Sequence, residues 1–376
     1  MKKLSLLALL VVATFAFIGC QTTAAPTTAA PTTAAPTTVA PTTVAPTTAV
    51  KEFKVDGDFT AFVAEVHTNG AQQVTMVTVT ITNGVITGYK IDARQAVKVT
   101  DTKGTEDTAD DTYTFTWNAQ TKVELGFNYR MHYNTYRNSL TDPATANQAG
   151  YEAWLTANNR NEWHTQAALV EAYWLANGVA AMEYDATTKV ISNVAGVTVK
   201  NSGYTALALE AIENARAGKF QAIKATGTDL YIASMIKAEN GTISELKLDV
   251  RQLFTARTDK SKFAWNVATK QELGFAYRMH YNTYRNSLTD PATATQAGYE
   301  TWLTANNRLE WFQQANIITN YIMANGWNAS YQAVPATSAG IGMSLDGVTP
   351  ISATAGVTIK SQSYFDVLSY LFAKVA

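Results

Sequence analysis

The 376-residue chain has one cysteine, Cys20, and four histidines. A single thiol excludes an intramolecular disulfide and a thiolate metal cluster. His132 and His280 have no partner histidine at ligand spacing, so no metal site is expected. Neither sign of charge is in excess: 29 Lys and Arg face 30 Asp and Glu, a net charge of −1. Without a basic patch, nucleic acid is not an expected partner. The sequence contains no nucleophile–His–Asp arrangement and no glycine-rich phosphate loop, so no catalytic residue is assigned. No apolar run, the first included, is long enough to span a bilayer.

That first stretch sets the compartment. Lys2 and Lys3 precede an apolar run over residues 4–18, roughly 15 long and too short to cross a membrane. The run ends in Phe17-Ile18-Gly19-Cys20, which resembles the lipobox of bacterial lipoproteins, with Phe17 where an aliphatic residue is usual. The resemblance implies a signal peptide over residues 1–20, lipidation of Cys20, and a membrane-anchored protein on the extracellular face. Residues 21–50 then repeat Pro-Thr-Thr-Ala/Val-Ala, with Pro26, Pro31, Pro36, Pro41 and Pro46. Such a segment cannot form a core and reads as a disordered tether. Proline at this spacing favours an extended chain, reaching roughly 90 Å at about 3.1 Å per residue.

The remaining part is two copies of one unit. Residues 127–160 and 275–308 differ at three positions only: Asn128/Ala276, Asn147/Thr295 and Ala153/Thr301. Weaker matches flank this block, including Asn83-Gly84 with Asn240-Gly241, Asp92 and Arg94 with Asp249 and Arg251, and Trp117 with Trp265. The repeat is domain-sized, giving units 51–217 and 218–376. Residues 74–81 are rich in β-branched side chains, Asn83-Gly84 signals a tight hairpin, and 85–91 returns as a strand. Copy two repeats this pattern over 230–238 and 242–248. Asp142-Pro143 predicts a helix start, and a helix over 162–176 ends at Gly178, with Gly326 as its counterpart. The last element of each copy is helical: Tyr204, Leu207, Ala208, Ala211, Ile212 and Ala215 fall on one face, as do Tyr364, Val367, Leu368, Leu371, Phe372 and Val375. Strands followed by helices predict an α+β fold, each copy an antiparallel sheet with packed helices.

Ala-Gly-Val-Thr stands before that last helix in both copies, as Ala195, Gly196, Val197 and Thr198, and as Ala355, Gly356, Val357 and Thr358; Lys200 and Lys360 follow. Glycine there permits a tight turn or a close ligand approach. Free backbone N–H groups at a helix start attract phosphate. A plain helix-capping role for the threonines is the alternative.

The segment, together with the strand–Asn-Gly-x-Ile–strand pattern upstream, resembles the FMN-binding domain family and its flavin-attachment motif, Asp-x-x-Ser/Thr-Gly-Ala-Thr/Ser. The resemblance covers nearly everything after residue 51. It implies two tandem FMN-binding-type domains carrying two covalent FMN groups, attached through phosphoesters to Thr198 and Thr358 by an FAD:protein FMN transferase. Gly196 and Gly356 match the motif glycine. Ser192 and Ser352 stand where the family has Asp, Ala195 and Ala355 replace the Ser/Thr, and Val197 and Val357 replace the Ala. In architecture the chain is similar to the surface lipoproteins of Gram-positive flavin-based extracellular electron transfer. That similarity implies an electron carrier rather than an enzyme, which takes electrons from a membrane NADH/quinone-linked donor and passes them to small-molecule or mineral acceptors.

Other groups are open to two readings. Tyr129, Arg130, His132, Tyr133, Tyr136 and Arg137 recur as Tyr277, Arg278, His280, Tyr281, Tyr284 and Arg285. They suit stacking on a flavin ring and pairing with phosphate, or equally the packing of a local core. Asp92 with Arg94, and Asp249 with Arg251, read as surface ion pairs of little weight, and Trp163, Trp174 and Trp311 as core. The functional rivals are a cofactor-free surface binding or adhesion lipoprotein and an extracellular reductase.

Overall fold

The computed structural model describes residues 51–67, 70–201, 203–255, 261–334 and 342–375. Residues 1–50, on which the expected signal peptide, the lipidation of Cys20 and the tether fall, lie outside the described residues.

Copy one opens with four antiparallel strands in sequential order: β1 (Gly57–Val66), β2 (Gln72–Thr82), β3 (Val85–Asp101) and β4 (Thr112–Trp117). The Asn83-Gly84 signal is realised as a two-residue turn. Both residues have positive φ (56° and 76°), and Thr82 pairs with Val85. That is the type I′ geometry whose twist matches the flanking strands. Asp56 fixes it by accepting from the Asn83 and Gly84 N–H groups at 2.7 and 2.9 Å.

Copy two repeats the sheet as β5 (Lys219–Thr226), β6 (Asp229–Lys237), β7 (Ile243–Thr255) and β8 (Phe263–Trp265). Its hairpin differs from the expectation. Only Gly241 of the Asn240-Gly241 pair has positive φ, the Ala238 N–H bonds the Thr242 carbonyl, and the register shifts at Ile236/Lys237. The extra residues form a longer loop with a bulge.

Helices follow in each copy. Copy one has α1 (Lys122–Leu125), α2 (Tyr133–Ser139), α3 (Gln148–Ala157), α4 (Trp163–Asn177) and α5 (Tyr204–Arg216). In copy two, α6 (Lys270–Leu273), α7 (Tyr281–Asn286), α8 (Gln296–Ala305) and α9 (Trp311–Asn325) are followed by the short pair β9 (Gln332–Ala333) and β10 (Met343–Ser344), then α10 (Ser363–Phe372). Asp142-Pro143 starts only one 3-10 turn, with the Asp142 carboxylate capping the Ala144 N–H. Helix α4 ends at Gly178 and α9 at Gly326, as expected. Helix α5 lies on β1 and β2, α4 on β3, α10 on β5 and β6, and α9 on β7. The predicted apolar faces are the buried ones: Leu207, Ala208, Ala211 and Ala215 on α5, and Val367, Leu368 and Leu371 on α10. The architecture is α+β, two curled antiparallel four-stranded sheets with helices, compatible with two tandem domains.

The copies are joined through an approximate twofold. Phe115 meets Phe263 at 4.5 Å and Trp117 meets Trp265 at 6.4 Å between ring centroids. The Trp117 indole donates to the Gly227 carbonyl (3.0 Å), and reciprocally Trp265 donates to the Glu65 carbonyl (3.1 Å). These side chains, with Val74, Ala96, Ala225, Leu230 and Leu253, make an apolar layer drawn from both sheets. At the chain's end, the Asp58 N–H donates to the Lys374 carbonyl at 2.9 Å, tying the region after α10 to β1.

Candidate functional site

The Ala-Gly-Val-Thr segment forms the same turn twice. The Val197 N–H donates to the Val194 carbonyl, and the Val357 N–H to the Thr354 carbonyl, both at 3.3 Å. Gly196 (φ 79°) and Gly356 (φ 91°) occupy the third position, and Ala355 has φ −57° and ψ 140°. Copy two thus has the dihedrals of a type II turn, which requires positive φ at that residue. Val197 and Val357 are buried and anchor the turn; Ala195, Ala355 and Thr198 are exposed and Thr358 is half-buried.

The threonines do not open a helix. Helix α5 begins at Tyr204 and has Gly203 at its cap, several residues beyond Thr198. The N–H groups of the segment are also taken. Gln166, on the buried stripe of α4, accepts through Oε1 from the Thr198 N–H (2.7 Å), the Val199 N–H (3.0 Å) and the Thr198 hydroxyl (3.3 Å). Gln314 does the same on α9, accepting from the Thr358 N–H (2.5 Å), the Ile359 N–H (3.1 Å) and the Thr358 hydroxyl (3.0 Å). Neither the capping role nor the helix-start phosphate site therefore describes these threonines. Lys200 and Lys360 are exposed beside them.

Beside each turn lies a cleft whose other wall is the near-identical block. In copy one it is an open groove of about 870 Å³ between Gly196, Phe127, Thr156, Arg160, Asn161 and Leu169. In copy two it is smaller, about 370 Å³, between Gly356, Phe275, Thr304, Asn307, Arg308 and Leu309. The Asn161 side chain donates to the Gly196 carbonyl at 2.9 Å, locking turn to block; Leu309 stands at that place in copy two and has no such bond to give. The block's end and the turn were separate observations in the sequence, and the fold brings them together.

The recurring aromatic set mainly builds the block. Tyr136, Tyr151 and Leu155 form a small core, with Tyr284, Tyr299 and Leu303 as counterparts. The Arg130 guanidinium lies 4.3 Å from the centre of the Tyr133 ring, and Arg278 stands likewise over Tyr281. The buried Glu162 carboxylate accepts from the Tyr151 hydroxyl (2.5 Å) and from the Met131 and Trp163 N–H groups (3.0 and 2.8 Å); Glu310 repeats this with Tyr299, Met279 and Trp311. Burial first, then the Glu162 bond, raises the Tyr151 phenol well above its ordinary range. Burial lowers the His132 imidazole, with Arg160 adding to the effect.

A second group lies deeper. The Lys122 amine sits over the rings of Tyr129 (5.0 Å) and Trp163 (5.2 Å), and Lys270 over Tyr277 (4.8 Å) and Trp311 (5.4 Å). Burial pulls Lys122 down to about 8 and pushes Tyr129 up to about 12. Trp163, Trp174 and Trp311 are core residues, as expected.

Asp92 and Arg94 are not an ion pair. Asp92 is buried, its carboxyl raised by that burial, and it accepts from the Ala93 and Val123 N–H groups. Arg94 donates instead to the carbonyls of Asn118 (2.8 Å) and Ala225 (2.9 Å), the latter in the other copy. Asp249 accepts from the Val250 and Gln271 N–H groups, and Arg251 donates to the Asn266 carbonyl. Hydrogen bonds to backbone thus replace the surface pairing expected from sequence.

The sequence reading missed Gln166 and Gln314. The available signal was a glutamine on an otherwise apolar stripe with Trp163, Ala167, Val170 and Trp174, repeated on α9. Among the described residues no group of three or more His, Cys, Asp or Glu side chains gathers as metal ligands, and no helix is long and apolar enough to cross a membrane. Comparisons with protein-family models, curated proteins and solved structures found no match.

Proposed function

We propose that the chain is an extracellular, lipid-anchored electron carrier with two FMN groups, each joined through its phosphate to Thr198 or Thr358. One observation supports this reading: the glycine of each duplicated turn, two residues before the threonine, lines a cleft built from the block that differs least between the copies. A volume of about 870 Å³ falls within the usual range of small-ligand sites, roughly 300–1,000 Å³. Phe127 and Leu169 supply apolar wall, while Arg160, Asn161 and Thr156 supply polar groups. In copy one these groups suit a planar, polar-edged ring system; the copy-two cleft, about 370 Å³, offers less room and has Leu309 in place of Asn161.

FMN, when attached, supplies reversible one- and two-electron chemistry. The protein's part is to hold, orient and shield it. The turn fixes the attachment point, the cleft walls limit ring movement, and the tether gives reach from the membrane. The transferase, the NADH/quinone-linked donor and the small-molecule or mineral acceptors belong to the same reading. Co-expression with an active FMN transferase, followed by a denaturing gel, tests it. Flavin fluorescence should migrate with the polypeptide and vanish in the Thr198→Ala/Thr358→Ala double variant. A dark wild-type band, beside a fluorescent control substrate, would leave the cofactor-free adhesion reading in its place.

A further inference from the structure

We propose that Gln166 and Gln314 orient the acceptor hydroxyls of Thr198 and Thr358 for modification, an inference that rests on the attachment reading above. Both glutamines are buried, at 1% and 0% exposure. Their amide orientation is set from the far side. Gln166 Nε2 donates to the Asn161 carbonyl (2.8 Å) and to Met131 Sδ (3.7 Å). Gln314 Nε2 donates to the Leu309 carbonyl (2.9 Å) and to Met279 Sδ (3.5 Å). A flipped amide would set Oε1 against a carbonyl and Nε2 against two N–H donors, so the oxygen must face the threonine.

Two backbone donors on Oε1 already hold the loop; the hydroxyl is a third. Its proton points inward to Oε1, so the oxygen lone pairs face away from the amide. In the step, a bond forms between the threonine Oγ and the flavin-side phosphorus of a flavin dinucleotide. The pyrophosphate P–O bond breaks and a nucleoside monophosphate leaves. The hydroxyl proton passes to a base on the transferase or to water, because a neutral amide does not take it. Afterwards Oε1 keeps its two N–H donors and is not left unsatisfied. The glutamine is thus suited to both the free and the esterified threonine. Ser192 and Ser352 stand where the family motif has its Asp, while contact with the acceptor comes from a different element.

The test uses the full chain and measures FMN incorporation at Thr198 and Thr358 separately, by peptide mass over time, with an FMN transferase and FAD. Gln166→Met should slow modification of Thr198 by about tenfold or more, the scale expected when a reacting group loses its orientation. Thr358 in the same molecules should keep its rate, and Gln314→Met should give the reverse pattern, slowing Thr358 and sparing Thr198. A folded Gln166→Met chain modified at Thr198 at the wild-type rate would overturn the inference while leaving the attachment reading intact. If Gln166→Met unfolds copy one, Gln314→Met decides, read at Thr358: slowed modification with copy two folded supports the proposal, and the wild-type rate overturns it. A wild-type chain unmodified at both threonines overturns the attachment reading, and this inference with it.

Discussion

Phe59 stacks on Phe220 with ring centroids 4.2 Å apart, so one position of the repeat meets its own counterpart. A twofold relation between the copies brings equivalent residues together in this way. Both rings are fully buried. Phe59→Ala and Phe220→Ala should each cost about 3–5 kcal/mol. Because the two rings share one contact, the double variant should lose less than the sum. Denaturant titration of the three variants checks this, and strict additivity would contradict the stacked pair.

Much of each copy was legible because it rests on local patterns. The Asn83-Gly84 turn, the Gly178 and Gly326 helix ends, and the apolar faces of α5 and α10 are periodicities or caps within a few residues. What escaped depends on distant partners. Arg94 has Asp92 two residues away, yet reaches Ala225 across the copy boundary. The glutamines reach threonines over thirty residues on in sequence, and nothing local marks that pairing. The aromatic block was readable as a repeated unit; that it serves mainly as scaffold follows from Tyr151 and Glu162 meeting at its centre.

That pair gives a second prediction. Tyr151→Phe removes the hydroxyl that donates to the buried Glu162 carboxylate and accepts from the His132 N–H at 3.0 Å. Leaving a buried carboxylate one donor short should cost about 1–3 kcal/mol. Tyr299→Phe should cost a similar amount, since Glu310 and His280 repeat the arrangement. Thermal melts of the two variants provide the measurement.

Lys122 gives a pH signature. It is 7% exposed, and burial lowers it from 10.5 to about 8, against the raising influence of Glu65 and Asp92. Between those values the unfolded chain binds more protons than the folded one, so this residue makes stability rise as pH increases from about 8 to 10.5. The gain should be about 2 kcal/mol, short of the full shift because the ring faces favour the cation. Lys122→Met should flatten that part of the pH–stability curve and raise stability at pH 7. An unchanged slope in the variant would show that the amine does not cause it.

The attachment turns should be sensitive to one added carbon. At Gly196 a Cβ would lie 2.6 Å from Asn161 Nδ2, and at Gly356 it would lie 3.2 Å from Leu309 Cδ1. Both sites also have positive φ, which costs about 1–2 kcal/mol for a residue with a side chain. Gly196→Ala should therefore destabilise more than Gly356→Ala, because it also displaces the Asn161 bond. Paired melts of the single variants will show the order.

Intact-mass measurement of residues 51–376, produced with an active FMN transferase, tests the central claim most directly. The account predicts two FMN phosphoester increments, of which Thr198→Ala and Thr358→Ala each remove one and the double variant removes both. A wild-type mass without increments, while the same transferase modifies a control substrate, would contradict it.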